Sequence, residues 1–269
     1  MNMIKPTNSS HYYDENGFLM FDATLREAKK YNLLVSVTTF LSIIHKYQLE
    51  NWKQEQILLS ALTTPKIDCE SESEYIKRVI EGSQEISTDA KDFGSTIHKL
   101  IERYINGDTI DILQYGENIT KAFCEVQKYV DNNSLKGETE KVVVNNKYGY
   151  AGTIDYVDSK CIIDWKTQKV KNKEYKRSKD DPYQTEKNGL FYRPCPIFYD
   201  EWKMQLGAYG LCLLKRPEKY ISVIIDSETH GRIFVKEFTE EEIKWGEEAA
   251  LTALKLWQMV KKYKYRREC

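Results

Sequence analysis

Apolar positions follow helical spacing in the first half of the chain and cluster into short runs in the second half. Runs rich in β-branched and aromatic residues predict strands at about 140–145, 149–157, 160–166, 220–226 and 231–237. Ser/Thr-x-x-Glu patterns predict three helix starts, at Thr24, Ser71 and Thr239. A mostly helical front followed by strands predicts an α/β fold, a mixed sheet flanked by helices.

Two further segments show helical patterns in the first half. Ser36 is placed to cap a helix that would run to Thr63. Downstream, Phe93, Ile97, Ile101 and Tyr104 form the apolar face of a second predicted helix, and Gly107 is its candidate C-cap. Beside that face, Gly94, His98 and Glu102 form a stripe at i, i+4 and i+8. A lone histidine at such a position is usually a boundary residue. His98 becomes a candidate ligand only because carboxylates elsewhere need more coordination.

A predicted hairpin carries the candidate chemistry. Its strands are Tyr150 to Val157 and Lys160 to Trp165, joined by Asp158-Ser159 as a two-residue connection. If Val157 pairs with Lys160, Asp164 becomes the diagonal neighbour of Asp155, about 7–8 Å away between Cα atoms. Period-two alternation then places Asp155, Asp164 and Lys166 on one face. Two carboxylates at this spacing can close around one divalent metal ion.

Phosphodiester hydrolysis needs such residue types, because hard oxygen ligands hold Mg²⁺ or Mn²⁺, which activates water and stabilises the anionic transition state. A lysine cannot bind the ion but can orient the water or offset phosphate charge. Asp-x-Lys alone is weak, and a solvated hairpin with Trp165 in the core explains it equally well. The surroundings favour a site: Glu140 opens the preceding strand, and Gly149 and Gly152 leave room near Asp155.

The segment EWKMQLGAYGLCLL, 201–214, predicts a buried helix. Gln205 and Tyr209 lie one turn apart on the same side of it. From the residues alone, a core tyrosine with a capped glutamine and a pair that serves the site are equally acceptable interpretations.

The ordered motifs His98, Glu140, Gly-x-x-Asp155, Asp164-Trp-Lys166-Thr and Gln205-x-x-x-Tyr209 resemble the RecB-like branch of the PD-(D/E)xK nucleases. The mitochondrial genome maintenance exonucleases and their bacteriophage relatives are the most similar group. The resemblance extends upstream to the Ser-Val-Thr segment and Trp-Lys pair, and so covers about 33–214. It implies a restriction-endonuclease-like α/β fold and one nuclease domain over 1–269. In that domain a helical part at about 24–110 carries His98, and a sheet core with a C-terminal helix spans about 135–269.

The resemblance also implies a role for each matched residue. His98, Asp155, Asp164 and the backbone carbonyl of Trp165 would be metal ligands. Lys166 would be the catalytic lysine and Glu140 would support the metal or its water. Gln205 and Tyr209 would steady the lysine and touch nucleic acid, while Ser36, Thr38 and Thr167 would contribute to nucleic-acid binding. Such nucleases prefer single-stranded DNA with a free end.

Six cysteines lie at scattered positions with no Cys-x-x-Cys pair, so no iron–sulfur cluster is expected, unlike in several RecB-like nucleases. The formal net charge of −1 excludes attachment to nucleic acid by bulk charge alone, so binding would be local. The chain shows no membrane-spanning apolar run, no targeting signal and no P-loop. We therefore expect a cytoplasmic protein, in a bacterial or phage-infected cell, and any helicase or recombinase would be a separate partner. The oligomeric state is not predicted.

Two segments are candidates for the nucleic-acid channel. The first is a long loop at 169–199, in which Tyr175, Lys176 and Arg177 combine an aromatic ring with cations. A solvated insertion explains the same loop. The second is the C-terminal KKYKYRR after Val260, whose charges can equally well complement a helix dipole.

Three functions remain compatible with the sequence. The leading hypothesis is a metal-dependent DNA exonuclease that acts on single-stranded ends or flaps in replication, recombination or repair. The second is a structure-specific endonuclease, or a nuclease directed at RNA, that uses the same residues. The third is a catalytically silent DNA-binding domain, against which the joint presence of Asp155, Asp164 and Lys166 argues.

Overall fold

A computed structural model describes residues 11–175 and 185–266. The helices of these ranges are α1 (Leu25–Tyr31), α2 (Val37–Leu41), α3 (Tyr47–Thr63), α4 (Glu72–Ile105), α5 (Glu117–Asn132), α6 (Asp200–Gly210) and α7 (Glu240–Val260). The strands are β1 (Tyr12–Tyr13), β2 (Leu19–Met20), β3 (Leu34–Ser36), β4 (Glu138–Asn145), β5 (Tyr150–Val157), β6 (Cys161–Gln168), β7 (Asn172–Tyr175), β8 (Thr185–Lys187), β9 (Leu190–Pro194), β10 (Lys219–Asp226) and β11 (Ile233–Phe238). All three predicted capping boxes, at Thr24, Ser71 and Thr239, are present with both reciprocal hydrogen bonds.

The main sheet is mixed and, within the described residues, has eight strands. Its order is β11-β10-β6-β5-β3-β1-β2, and β4 pairs with β5. β6 runs parallel to β10, β3 runs parallel to β5, and the remaining neighbours are antiparallel. The predicted fold class, an α/β mixed sheet flanked by helices behind a mostly helical N-terminal half, is confirmed.

Helices cover the sheet on both faces, and each face has its own apolar core. On one face, α4 and α5 bury Ile97, Phe123 and Val126 against Ile163 and Trp165 of β6. On the opposite face, α2, α6 and α7 pack residues that include Phe40, Leu206 and Trp257 against Tyr150 and Ile162. Adjacent residues of β6 therefore serve opposite cores, and polar side chains at its C-terminal half must lie between helix and sheet.

The predicted hairpin between β5 and β6 forms, but Val157 pairs with Ile162 instead of with Lys160, and Tyr156 pairs with Ile163. The connection therefore moves by one residue, from Asp158-Ser159 to Ser159-Lys160. The Asp158 side chain causes the shift, because its Oδ1 accepts the backbone N–H groups of Lys160 and Cys161, both at 2.7 Å. If this register continued beyond Tyr156, Asp155 would lie directly opposite Asp164 instead of diagonally from it.

The segment 169–199, predicted as a long loop, contains a second sheet. β9 pairs antiparallel with both β7 and β8. The base of this three-stranded sheet is fixed to the main sheet: buried Asp226 accepts the backbone N–H of Val170 at 3.1 Å and pairs with Arg232, and Gln168 exchanges two hydrogen bonds of 2.9 Å with the backbone of Ile197. Lys176 and Arg177 lie outside the described residues.

One other prediction changes. Ser36 caps only the short helix α2, because the chain leaves helical conformation after Ser42 and begins α3 at Tyr47.

The described part of the basic segment after Val260 folds back on the N-terminal region. The Tyr263 hydroxyl donates to the Leu33 carbonyl, and the backbone of Arg266 exchanges two hydrogen bonds of 2.7 Å with Asn32. The role of the cationic side chains of this segment in a nucleic-acid channel stays a prediction.

Candidate metal centre

A gap in the strand pairing of β5 defines the site. β4 occupies one edge of β5 along its whole length. On the other edge β3 pairs only with Tyr150 and Ala151, and β6 pairs only with Tyr156 and Val157. Residues 152–155 therefore have no ladder partner on that edge within the described chain. A side chain of Asp155 enters this opening, and its Oδ2 accepts the backbone N–H of Trp165 at 2.8 Å.

Asp155 lies at the point where alternate side chains of β5 switch from one face of the sheet to the other. Ile154 belongs to the core under α6 and α7, whereas Tyr156, of the same parity, belongs to the core under α4 and α5. The predicted common face of Asp155, Asp164 and Lys166 stays a prediction. The Asp155 side chain turns into the opening, where its Oδ2 is 3.8 Å from Nδ1 of His98 on α4.

Three predicted residues meet around the opening. One ligand atom from each of His98, Glu140 and Asp155 lies within 4.8 Å of the others, a spacing that could hold one metal ion. α4 contributes His98 because its apolar side packs on β6 and directs this polar stripe toward the sheet edge. Close approach is possible because Gly94, one turn earlier, has no side chain: a Cβ there would lie 2.9 Å from Oγ1 of Thr167. That contact gives Thr167 a packing position beside the site.

Glu140 adopts a backbone conformation that is rare for a residue with a side chain. Its φ is +48°, and the ladder between β4 and β5 omits the pair that it would form with Asp155. Loss of hydration, together with the nearby carboxylates of Asp155 and Glu102, raises the pKa of Glu140 to about 7. A strained residue held beside two other acids is typical of a functional site.

Asp164 and Lys166 form a buried ion pair on the face toward α6. Nζ of Lys166 lies 2.8 Å from both carboxylate oxygens of Asp164 and donates to Oδ1. Burial raises the pKa of Asp164 to about 7 against the opposing effect of Lys166, and Asp155 adds repulsion. Burial alone would lower the pKa of Lys166, but the two aspartates raise it above its usual value. The positive charge of Lys166 therefore acts on the carboxylates of both Asp164 and Asp155.

Gln205 and Tyr209 of α6 hold this pair in place. The Gln205 amide donates to Oδ1 of Asp164 and to the Tyr209 hydroxyl, both at 3.1 Å, and its Oε1 lies 3.3 Å from Nζ of Lys166. The Tyr209 ring reaches β5 because Gly152 has no side chain: a Cβ there would lie 2.5 Å from Cε1 of Tyr209. Gly152 thus leaves the room that the sequence predicted, and a protein ring fills it. Gly149 instead accommodates Tyr265, away from this network.

The donor set fits a hard divalent cation. It combines three acids with one imidazole, and Lys166 is the cation paired with them in the described residues. Oδ2 of Asp164 is buried and, although the Lys166 ammonium lies 2.8 Å away, has no partner with hydrogen-bond geometry. Excess carboxylate charge around such an incompletely paired oxygen is the condition that Mg²⁺ or Mn²⁺ relieves. The structure does not identify the ion, and the predicted ligand role of the Trp165 carbonyl stays a prediction.

The predicted nucleic-acid contacts are more dispersed. Buried Ser36 uses its hydroxyl to cap α2, accepting from the Thr39 N–H at 3.0 Å, while Thr38 is exposed in the first turn. Tyr175 is exposed at the end of β7, and the guanidinium of Arg193 stacks 3.3 Å from its ring centre. Arg193 is not among the predicted nucleic-acid contacts. Alternation of cation and ring in Lys173-x-Tyr175 and Phe191-x-Arg193 is the signal that could have indicated it.

No described helix is long and apolar enough to cross a membrane. No protein-family model matches the chain, and no curated protein matches its sequence. Among solved structures, the chain is similar to the crystal structure of a "Putative exonuclease" from Eubacterium rectale, at 11% sequence identity and a TM-score of 0.41, over 63% of this chain and 68% of that one.

Proposed function

We propose that this protein is a metal-dependent deoxyribonuclease of the PD-(D/E)xK type that hydrolyses phosphodiester bonds at single-stranded DNA ends or flaps. The observation that carries the proposal is the opening beside β5, where His98, Glu140 and Asp155 converge next to the Asp164–Lys166 pair. A site of this composition supplies the three requirements of the reaction: a place for the metal, a cation that does not bind it, and a support that fixes both.

Each residue has a defined part in this mechanism. His98, Asp155 and Asp164 would hold the ion, and Glu140 would hold it or orient its water. The bound ion would acidify water and offset charge on the phosphate. Lys166 would orient the attacking water or contact a phosphate oxygen, since its ammonium already lies among the acids. Gln205 and Tyr209 would keep that ammonium directed at the reacting group.

The preference for ends and for single strands rests on the sequence resemblance, as does an association with replication, recombination or repair. Ser36, Thr38, Thr167, Tyr175, Lys176 and Arg177 remain the proposed nucleic-acid contacts. A separate helicase or recombinase would supply strands to a chain without a motor of its own.

The test is cleavage of four substrates: end-labelled single-stranded DNA, circular single-stranded DNA, duplex DNA and RNA. Each is incubated with Mg²⁺, Mn²⁺ or EDTA, and purified Asp164→Asn protein serves as the control for contaminating nucleases. We expect metal-dependent shortening of the linear single strand and an intact circle. Cleavage of the circle would show an endonuclease, preferred cleavage of RNA would replace the substrate, and no cleavage by well-folded protein would favour the silent DNA-binding domain.

A further inference from the structure

The three-stranded sheet that follows β6 presents two chemically different faces. Residues paired across antiparallel strands share a face, and alternate residues on each strand share it too. The pairs Lys173 with Arg193 and Tyr175 with Phe191 therefore lie on one face, which Glu186 completes. We call these five residues the cation–aromatic face. Lys187 and Tyr192 lie on the opposite face, with Glu174.

The geometry points to this cation–aromatic face as a docking surface for single-stranded DNA, an inference that rests on the proposed function and extends it. Arg193 lies flat over Tyr175, with 3.3 Å between the guanidinium carbon and the ring centre, and 44% of Tyr175 remains exposed. A stacked guanidinium and phenol form a continuous flat surface on which a base can stack, while the cations meet the phosphates. A duplex hides the base faces that this surface would contact.

Charge distinguishes this part of the chain from the rest. Between Lys169 and Pro194 there are eight basic and four acidic residues, an excess of four positive charges in a chain whose net charge is −1. The rest of the chain therefore carries a net charge of −5. A polyanion would be drawn to this segment more than to the rest of the chain, and the exposed ring of Tyr175 beside the cations favours nucleic acid as the occupant over an acidic protein surface.

The three-stranded sheet is directly connected to the strand that carries Lys166. β7 begins six residues after Lys166, because only residues 169–171 separate it from the end of β6. The base of the sheet is held by a hydrogen bond of 3.1 Å from the backbone N–H of Cys195 to the carbonyl of Lys171, and by an ion pair between Lys171 and Glu55 of α3. Because the base is fixed at several points, the cation–aromatic face keeps a defined position relative to the opening.

Binding of a fluorescently labelled oligothymidylate, measured by anisotropy in EDTA, tests the inference without requiring cleavage. Lys173→Gln and Lys187→Gln form a matched pair, because the two exposed lysines belong to the same sheet but to opposite faces. We expect Lys173→Gln to weaken binding and to lower the slope of log affinity against log salt by about 0.7, while Lys187→Gln leaves both unchanged.

Two more variants separate charge from stacking. Glu186→Gln removes the one acid of the face and should tighten binding and steepen the salt dependence. Tyr175→Leu should weaken binding at least about fivefold with little change in that dependence, because it removes stacking alone. All four positions are exposed, so thermal unfolding should be unchanged and binding losses are not due to misfolding.

Equal effects of Lys173→Gln and Lys187→Gln, no gain from Glu186→Gln, or tighter binding of duplex than of single strand would each overturn the assignment. The binding outcome is independent of the cleavage outcome. If the variants behave as expected and the protein cleaves nothing, the docking surface stands and the nuclease proposal fails. If cleavage occurs and the variants bind normally, the reverse holds.

Discussion

Two buried aspartates on neighbouring parallel strands show how differently the same side chain can be used. Asp226 of β10 accepts four hydrogen bonds: the backbone N–H groups of Val170 and Glu228 donate to Oδ1, and Nε and Nη2 of the Arg232 guanidinium donate to Oδ2. The positive charge of Lys166 acts on Asp164 of β6 and on Asp155, and the buried Oδ2 of Asp164 has no partner with hydrogen-bond geometry. A fully paired carboxylate stabilises the fold, whereas an incompletely paired one beside other acids retains capacity for an external cation.

The first way to break the comparison is to neutralise each aspartate in turn. Asp164→Asn should lower cleavage by about 10²- to 10³-fold, the scale of a lost transition-state charge contact, and leave the free energy of unfolding nearly unchanged because repulsion is relieved. Asp226→Asn should lower the free energy of unfolding by about 3–5 kcal/mol, because it leaves Arg232 buried without its counter-ion. Urea unfolding and single-strand cleavage measure the two effects. Near-normal turnover by folded Asp164→Asn protein would refute the site.

Replacing the lysine tests whether Asp164 awaits a cation. Lys166→Met should reduce turnover by a similar 10²- to 10³-fold, because the water or phosphate loses its partner. Calorimetric titration should show Mn²⁺ affinity nearly intact. The rise in melting temperature on adding Mn²⁺ should therefore match that of the unmodified chain, since stabilisation by a ligand follows its affinity. Equal losses of metal affinity and activity would make Lys166 a structural residue.

His98 sharpens the comparison from the α4 side. His98→Ala should weaken the affinity for Mg²⁺ and for Mn²⁺ about 10- to 100-fold, because one ligand is lost, and higher concentrations of either metal should restore activity. The check is activity titrated against each metal. Unchanged metal dependence would mean that His98 is a boundary residue whose 3.8 Å contact with Asp155 has no catalytic consequence.

The smallest effect should come from the support under Asp164. Gly152→Ala places a methyl group 2.5 Å from Cε1 of Tyr209, so the ring must move and Gln205 loses its hydroxyl partner. We expect turnover to fall about tenfold and the free energy of unfolding to fall by about 1–3 kcal/mol. Gly116→Ala is the control, since nothing lies within 4 Å of its added methyl group. Unaltered turnover in Gly152→Ala would separate Tyr209 from catalysis.

The sequence predicted elements better than it predicted their exact pairing. Strand positions and the three capping boxes follow from spacing and residue type, whereas the convergence of His98, Glu140 and Asp155 was implied by the family resemblance. The hairpin register did not, because it depends on which backbone N–H groups the Asp158 side chain accepts. With this register, a continued ladder would place Asp155 opposite Asp164.

Features that depend on long-range contact were the least predictable. The positive φ of Glu140 and the change of face at Asp155 arise only where β3 and β6 separate along β5. The sheet at 172–194 was taken for a loop because its exposed strands lack an apolar side. Similarly, the contacts of the C-terminal tyrosines with Leu33 and Gly149 were not predicted, because they join residues that are far apart in the sequence.

The fold-back of that segment has a consequence for the order of events during synthesis. Asn32 and Arg266 meet across 234 positions of sequence. β3, which forms one wall of the opening, pairs with β5 through only two residues, so it depends on these late contacts for its position. Contacts of such long range form late, after the β6–β10 and helical parts have folded. The opening beside β5 would therefore be completed only after the residues around Tyr263 have left the ribosome.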